Sequence, residues 1–239
     1  MRRAVSRKRE MRLGLSTAES LVVVAILCVT IALLLPPVQQ PRGPHITTSC
    51  RNNLVDIGLA IEYYEETYKV LPPAYTIDAD GTPLHSWRTL ILPYLDEKDL
   101  YDSIDLTRPW DDPVNAAAFE QMPYIYKCPG IKHPTNRTMY LGIVGKDKFF
   151  SGSMSRKLEE ITDKHDETIM IIEVPEDQGV PWMAPLDADE KLILSFDAET
   201  KWPHPKRRIA AFVEGKPQSL PTTTTPEELR RMLTIAGGD

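Results

Sequence analysis

The chain has 239 residues, of which 42% are hydrophobic, so it carries enough apolar material for a folded core, and disorder throughout is excluded. With 28 Lys and Arg against 34 Asp and Glu the net charge is −6, which excludes nucleic-acid binding through overall positive charge. Residues 1–14 hold six bases and one acid, +5, which leaves 22 bases and 33 acids, −11, on the remainder.

The basic tip, residues 1–14, reads as a cytoplasmic leader. Behind it, Leu21 to Leu35 is apolar except for Thr30. The segment 15–38 has 24 residues, about 36 Å as a helix, against a hydrocarbon core of about 30 Å. It is therefore expected to be a transmembrane helix. The bases before it hold the N-terminus in the cytoplasm, which places the acidic body beyond the inner membrane, in the periplasmic or extracytoplasmic space. The apolar run passes into Leu35-Pro36-Pro37-Val38 without the small-residue triplet of a secretory cleavage site.

Glu19 is the anomaly at the head of this run, because a carboxylate at the edge of a membrane helix asks for a partner or a task. Gly14 followed five residues later by Glu19, ahead of a long apolar helix, resembles the type IV prepilin cleavage and methylation motif. The resemblance implies a prepilin peptidase that cuts between Gly14 and Leu15 and leaves Leu15 as a methylated N-terminus. It also implies that Glu19 pairs with the terminal amine of another pilin-like subunit during assembly.

Pro41, Gly43 and Pro44 break the pattern, so residues 39–46 are expected to form a neck before a globular domain over 47–239. The spacing of Leu54, Ile57, Ile61, Tyr64 and Tyr68 predicts an amphipathic helix over about 47–68. Shorter helices are expected near 85–95, 97–104, 114–121 and 226–234, the last opened by Pro226. Strands are expected at Tyr124–Lys127, Met139–Val144, Ile169–Val174, Lys191–Phe196 and Arg208–Val213, and at Pro217–Leu220. The last two read as a hairpin turned at Glu214-Gly215. The fold class that follows is α+β, with the amphipathic helix packed on a mostly antiparallel sheet.

Candidate chemistry is sparse. Cys50 and Cys128 form an even pair in an exported body, and a disulfide between them is expected, the alternative being two separate buried thiols. The five histidines show no zinc-ligand spacing, so no metal and no cofactor are expected. The carboxylate clusters at Asp78-Ala79-Asp80-Gly81 and Asp187-Ala188-Asp189-Glu190 depart from a calcium loop and read as solvated turns. Trp87, Trp110, Trp182 and Trp202 read as packing residues, with a binding surface as the alternative. No nucleophile elbow or phosphate loop is present, and no enzyme is expected.

Cys50-Arg51-Asn52-Asn53-Leu54, Leu71-Pro72-Pro73, His85-Ser86-Trp87-Arg88, Leu92-Pro93-Tyr94-Leu95, Cys128-Pro129 and Val180-Pro181-Trp182 together resemble the bacterial family called domain of unknown function 1559. His204, nine residues, then Glu214-Gly215 is similar to that family's closing motif, with Glu in place of Asp, and reads as turn and packing residues. The resemblance implies a pilin-like or pseudopilin-like envelope protein. Two classes stay open: a structural subunit of a type IV pilus or type II secretion-like system, and a membrane-tethered exported binding module that does not assemble into filaments.

Overall fold

A computed structural model describes residues 17–34, 43–131, 136–197, 199–204 and 207–238. The chain divides into two compact units, Met1–Gln40 and Pro41–Asp239.

The first unit contains helix α1 (Thr17–Leu34), with Glu19 in its first turn, where a carboxylate suits the positive end of the helix dipole. Leu21, Val22, Val24, Ile26 and Leu27 are all exposed. The 18 described residues rise about 27 Å as a helix. Among the described residues no helix is long and apolar enough to cross a membrane. The expected 15–38 span is thus described only over 17–34, and Gly14, Leu15 and residues 35–38 lie outside the described residues.

The second unit opens with α2 (Gly43–Tyr68). This helix begins four residues ahead of the expected 47, so residues 43–46 are helix rather than neck. Pro44 is tolerated because it falls in the first turn, where its missing N–H has no intrahelical partner to lose. Cys50, Leu54, Ile57, Ala60 and Ile61 are buried along one face. Tyr68 departs from the expected stripe: it is exposed, and its ring packs on Tyr64 with centroids 4.5 Å apart.

A small hairpin follows, β1 (Tyr75–Ile77) and β2 (Pro83–Ser86), then short helices α3 (Trp87–Leu90), α4 (Lys98–Asp102) and α5 (Ala116–Phe119). β3 (Arg137–Thr138) pairs antiparallel with β6 (Val180–Pro181). The main sheet has four antiparallel strands in the order β4 (Tyr140–Gly142), β5 (Ile169–Glu173), β7 (Arg207–Phe212) and β8 (Pro217–Pro221). Helix α6 (Glu190–Leu194) precedes β7, and α7 (Pro226–Leu233) follows β8.

Both faces of this sheet are covered, which explains why β4 and β5 are buried at every position. Ile209 and Ala211 share a core with Leu54 and Ile57 of α2, whereas Ala210 and Phe212 share a second core with Ile193 of α6 and Leu229 and Leu233 of α7. The alternation along β7 is the period of two of a strand dividing its side chains between layers. A register shift between Ile169 and Ile171 lets both Met170 and Ile171 face the α2 side.

Two expected strands are corrected. Tyr124–Tyr126 is a single 3-10 turn that starts behind Pro123. Lys191–Phe196 belongs largely to α6, where the Asp189 carboxylate accepts from Leu192 N at 2.7 Å and so caps a helix, and Ile193 alone is fully buried. The expected hairpin is formed: Gly215, with φ +82°, takes the left-handed turn position between β7 and β8.

Candidate functional site

Four separate segments bring their polar side chains to one buried point against the sheet. Cys50 projects from the second turn of α2, and Cys128 follows the Tyr124–Tyr126 turn. Glu173 ends β5 opposite Tyr140, and His204 lies just ahead of β7. One ligand atom from each lies within 4.8 Å of all the others, and all four residues are buried. The two sulfurs are 3.3 Å apart, His204 Nε2 is 4.0 Å from Cys128 Sγ, and the same nitrogen is 3.2 Å from Glu173 Oε2.

The ring of His204 is held from its other side, where Nδ1 lies 3.3 Å from Thr47 Oγ1 one turn before Cys50. Glu173 is fully buried; its Oε2 faces His204 Nε2, and its Oε1 has no hydrogen-bond partner. The neighbouring Tyr140 hydroxyl likewise has none. Unpartnered carboxylate oxygens in a closed interior are costly unless a positive charge faces them.

Electrostatics divide the two cysteines. The Cys128 thiol hydrogen-bonds Cys50 and, against burial, draws the Cys50 thiol down to about 6. Cys128 moves upward, through that hydrogen bond and through burial. Burial acts to lower His204, but contact with the Cys50 sulfur and the Glu173 carboxylate outweighs it and pushes the imidazole up to about 10. The arrangement therefore favours a Cys50 thiolate beside a cationic His204, the electrostatic setting of a thiolate ligand or nucleophile.

The structure unites some predicted residues and separates others. Cys50 and Cys128 meet as two free thiols rather than as the expected disulfide. His204 was expected to serve turn and packing alone, and instead it points into the cluster. Glu214 and Gly215 stay apart from it as the β7–β8 turn, with Glu214 in an ion pair with Lys216 at 3.1 Å. Glu173 was missed, although its signal is visible: it is the one charged residue in the apolar strand Ile169–Val174. Glu19 sits in α1, in the other unit.

The second carboxylate cluster is only in part a solvated turn: Asp189 is exposed, but the Asp187 carboxylate is buried and forms an ion pair with buried Arg88 at 2.8 Å. It also accepts from Trp87 Nε1 at 3.1 Å and Gly142 N at 2.7 Å. Arg88 donates further to the carbonyls of Trp182 and Leu186, at 3.0 and 2.7 Å. Trp87 and Trp182 are core residues, whereas Asp78 accepts from Thr82 N in an exposed turn as expected. A cleft of about 830 Å³ lies beside the cysteine cluster, bordered by Gly130, Pro203, Trp202 and Phe196. Gly130 forms the wall between them, since a Cβ there would stand 3.4 Å from Cys128 Sγ.

The family model described as Protein of unknown function (DUF1559) matches residues 47–170, just over half of the chain. The chain belongs to this family. No curated protein and no solved structure matches it. The DUF1559 match includes Cys50 and Cys128 and stops short of Glu173 and His204, so the cluster joins the matched segment to the sheet strands that follow it. One stretch of the family pattern is architectural: Ser86 caps α3, and Trp87 and Arg88 anchor the buried network around Asp187.

Proposed function

We propose that this DUF1559 protein is a pilin-like, membrane-anchored envelope protein. Its N-terminal segment enters the inner membrane and associates there with the same segment of other pilin-like subunits, in a type IV pilus or type II secretion-like system, and the role is structural rather than enzymatic. The observation that carries this reading is α1 itself: an 18-residue helix of apolar sequence that exposes Leu21, Val22, Val23, Val24, Ile26 and Leu27, with Glu19 in the first turn five residues after Gly14. Exposed aliphatic side chains of this density belong in lipid or against other helices. Glu19 at the helix head supplies the acid that a neighbour's terminal amine would meet.

A tethered exported binding module is the second reading, and the cleft beside Trp202 and Phe196 favours it, because an aromatic-walled cleft with polar side chains at its edge suits a ligand with apolar and polar parts. N-terminal and intact-mass analysis of the protein from native membranes, with a Glu19→Ala variant scored for incorporation into sheared surface filaments, separates the two. A mature chain that starts at methylated Leu15, with incorporation lost in the variant, is the expected result. A chain retaining Met1 and absent from filaments in both forms would overturn the pilin-like role in favour of the tether.

A further inference from the structure

We propose that Cys50, Cys128, Glu173 and His204 bind one zinc-class divalent ion that ties α2 to the sheet. The inference is independent of the membrane and filament reading. A tetrahedral centre about 2.3 Å from sulfur and about 2.0 Å from nitrogen or oxygen places two sulfurs about 3.8 Å apart, and a nitrogen and an oxygen about 3.3 Å apart. The corresponding separations here are 3.3 Å for the sulfurs and 3.2 Å for His204 Nε2 and Glu173 Oε2. The side chains therefore already stand near the edges of such a tetrahedron.

Three further observations point the same way. Glu173 is fully buried with Oε1 unpartnered, while Oε2 faces His204 Nε2 at 3.2 Å, and a metal ion in the cluster would engage the carboxylate and the imidazole together. Thr47 engages His204 Nδ1, which orients the ring with Nε2 toward the other ligands, as an outer-shell partner does in metal sites. The donor set of two sulfurs, one imidazole and one carboxylate suits zinc, and it disfavours calcium or magnesium, which take mostly oxygen. With four protein ligands the site is closed, which assigns it to structure rather than to catalysis. The four ligands come from segments with no short spacing between them, so the ion would close long loops across the body. The cleft beyond Gly130 provides the approach.

The test uses the full chain, purified in detergent without added metal. Elemental analysis should give one zinc per chain. After removal by a chelator under reducing conditions, titration with Co²⁺ should produce the thiolate-to-cobalt charge-transfer band and strong d–d bands of tetrahedral coordination, reversed by Zn²⁺. Cys50→Ser should reduce the charge-transfer band by about half, since each thiolate contributes one such transition. Thr47→Val should keep the tetrahedral spectrum and weaken Co²⁺ binding on the order of 10- to 100-fold, as expected of a positioning residue. A metal-free native chain whose intact mass shows Cys50 joined to Cys128 would overturn the proposal in favour of a disulfide. Failure of the reduced wild-type chain to bind Co²⁺, while its circular dichroism stays native, would overturn it as well.

Discussion

Arg88 shows how a single residue of the family pattern acts through packing. Its guanidinium and the Asp187 carboxylate are almost wholly removed from solvent, and Asp187 is also the acceptor for Trp87 and Gly142. Burial pushes the Asp187 carboxyl up, while Arg88, Trp87 and Gly142 act to hold it down. Asp187→Ala leaves the Arg88 charge buried without its partner, so it should cost about 3–5 kcal/mol, read as a fall in the urea midpoint. Glu190 makes a different, exposed case. Its hydrogen bond with Lys148, 2.9 Å away, holds its carboxyl below the ordinary value of 4.5. A depressed folded value means that the stabilisation is present above 4.5 and is lost as pH falls through the lower folded value. Wild type should therefore exceed Glu190→Gln in urea midpoint at neutral pH, and the two should converge in acid. A gap that persists below the folded value would remove the ion pair as its source.

At the scale of elements, α7 was readable because its signals are local. Thr225 Oγ1 accepts from Glu228 N at 3.2 Å, Glu228 Oε2 accepts from Thr225 N at 2.8 Å, and Pro226 occupies the first turn. Thr225→Ala should destabilise the protein by about 1 kcal/mol. Because Leu229 and Leu233 belong to the core on the far side of the sheet, the loss should appear in the global unfolding midpoint and not only as fraying of the last helix. The β7–β8 hairpin and β5 were legible for the same kind of reason, a turn glycine and an unbroken apolar run. Lys191–Phe196 was not, since Leu192, Ile193 and Leu194 fit a strand as well as a helix, and the Asp189 cap decides between them. The candidate site was legible in three of its residues and in none of its geometry. Cys50, Cys128 and His204 stand out singly, but spacing rules detect ligands that share a short loop, and these four converge only through the sheet. Glu173 offers the one local clue, a charge where strand burial leaves no room for solvent.

For the whole molecule, the division at Gln40 and Pro41 sets apart a helix with exposed apolar side chains from a body that contains its own core. Every buried residue of both core clusters lies between Cys50 and Ile235, in layers that α2, the four-stranded sheet, and α6 with α7 complete. Those layers need nothing from α1 to exclude water. A fragment comprising residues 43–239 should therefore fold alone, soluble without detergent, and unfold in one cooperative transition at the midpoint of the full chain. The fragment should start no later than Gly43, because Ile46 packs on the core and Thr47 reaches His204. Removing residues through Ser49 as well should lower the midpoint below that of the full chain, since α2 would lose its first turns and the histidine its partner. Urea denaturation followed by circular dichroism and tryptophan fluorescence checks both fragments. Trp87 and Trp182 report the α2 side of the sheet directly, as fully buried members of that core. Non-coincident transitions, or a 43–239 fragment that binds hydrophobic dye in buffer, would show that the body depends on the N-terminal unit and would refute its independence.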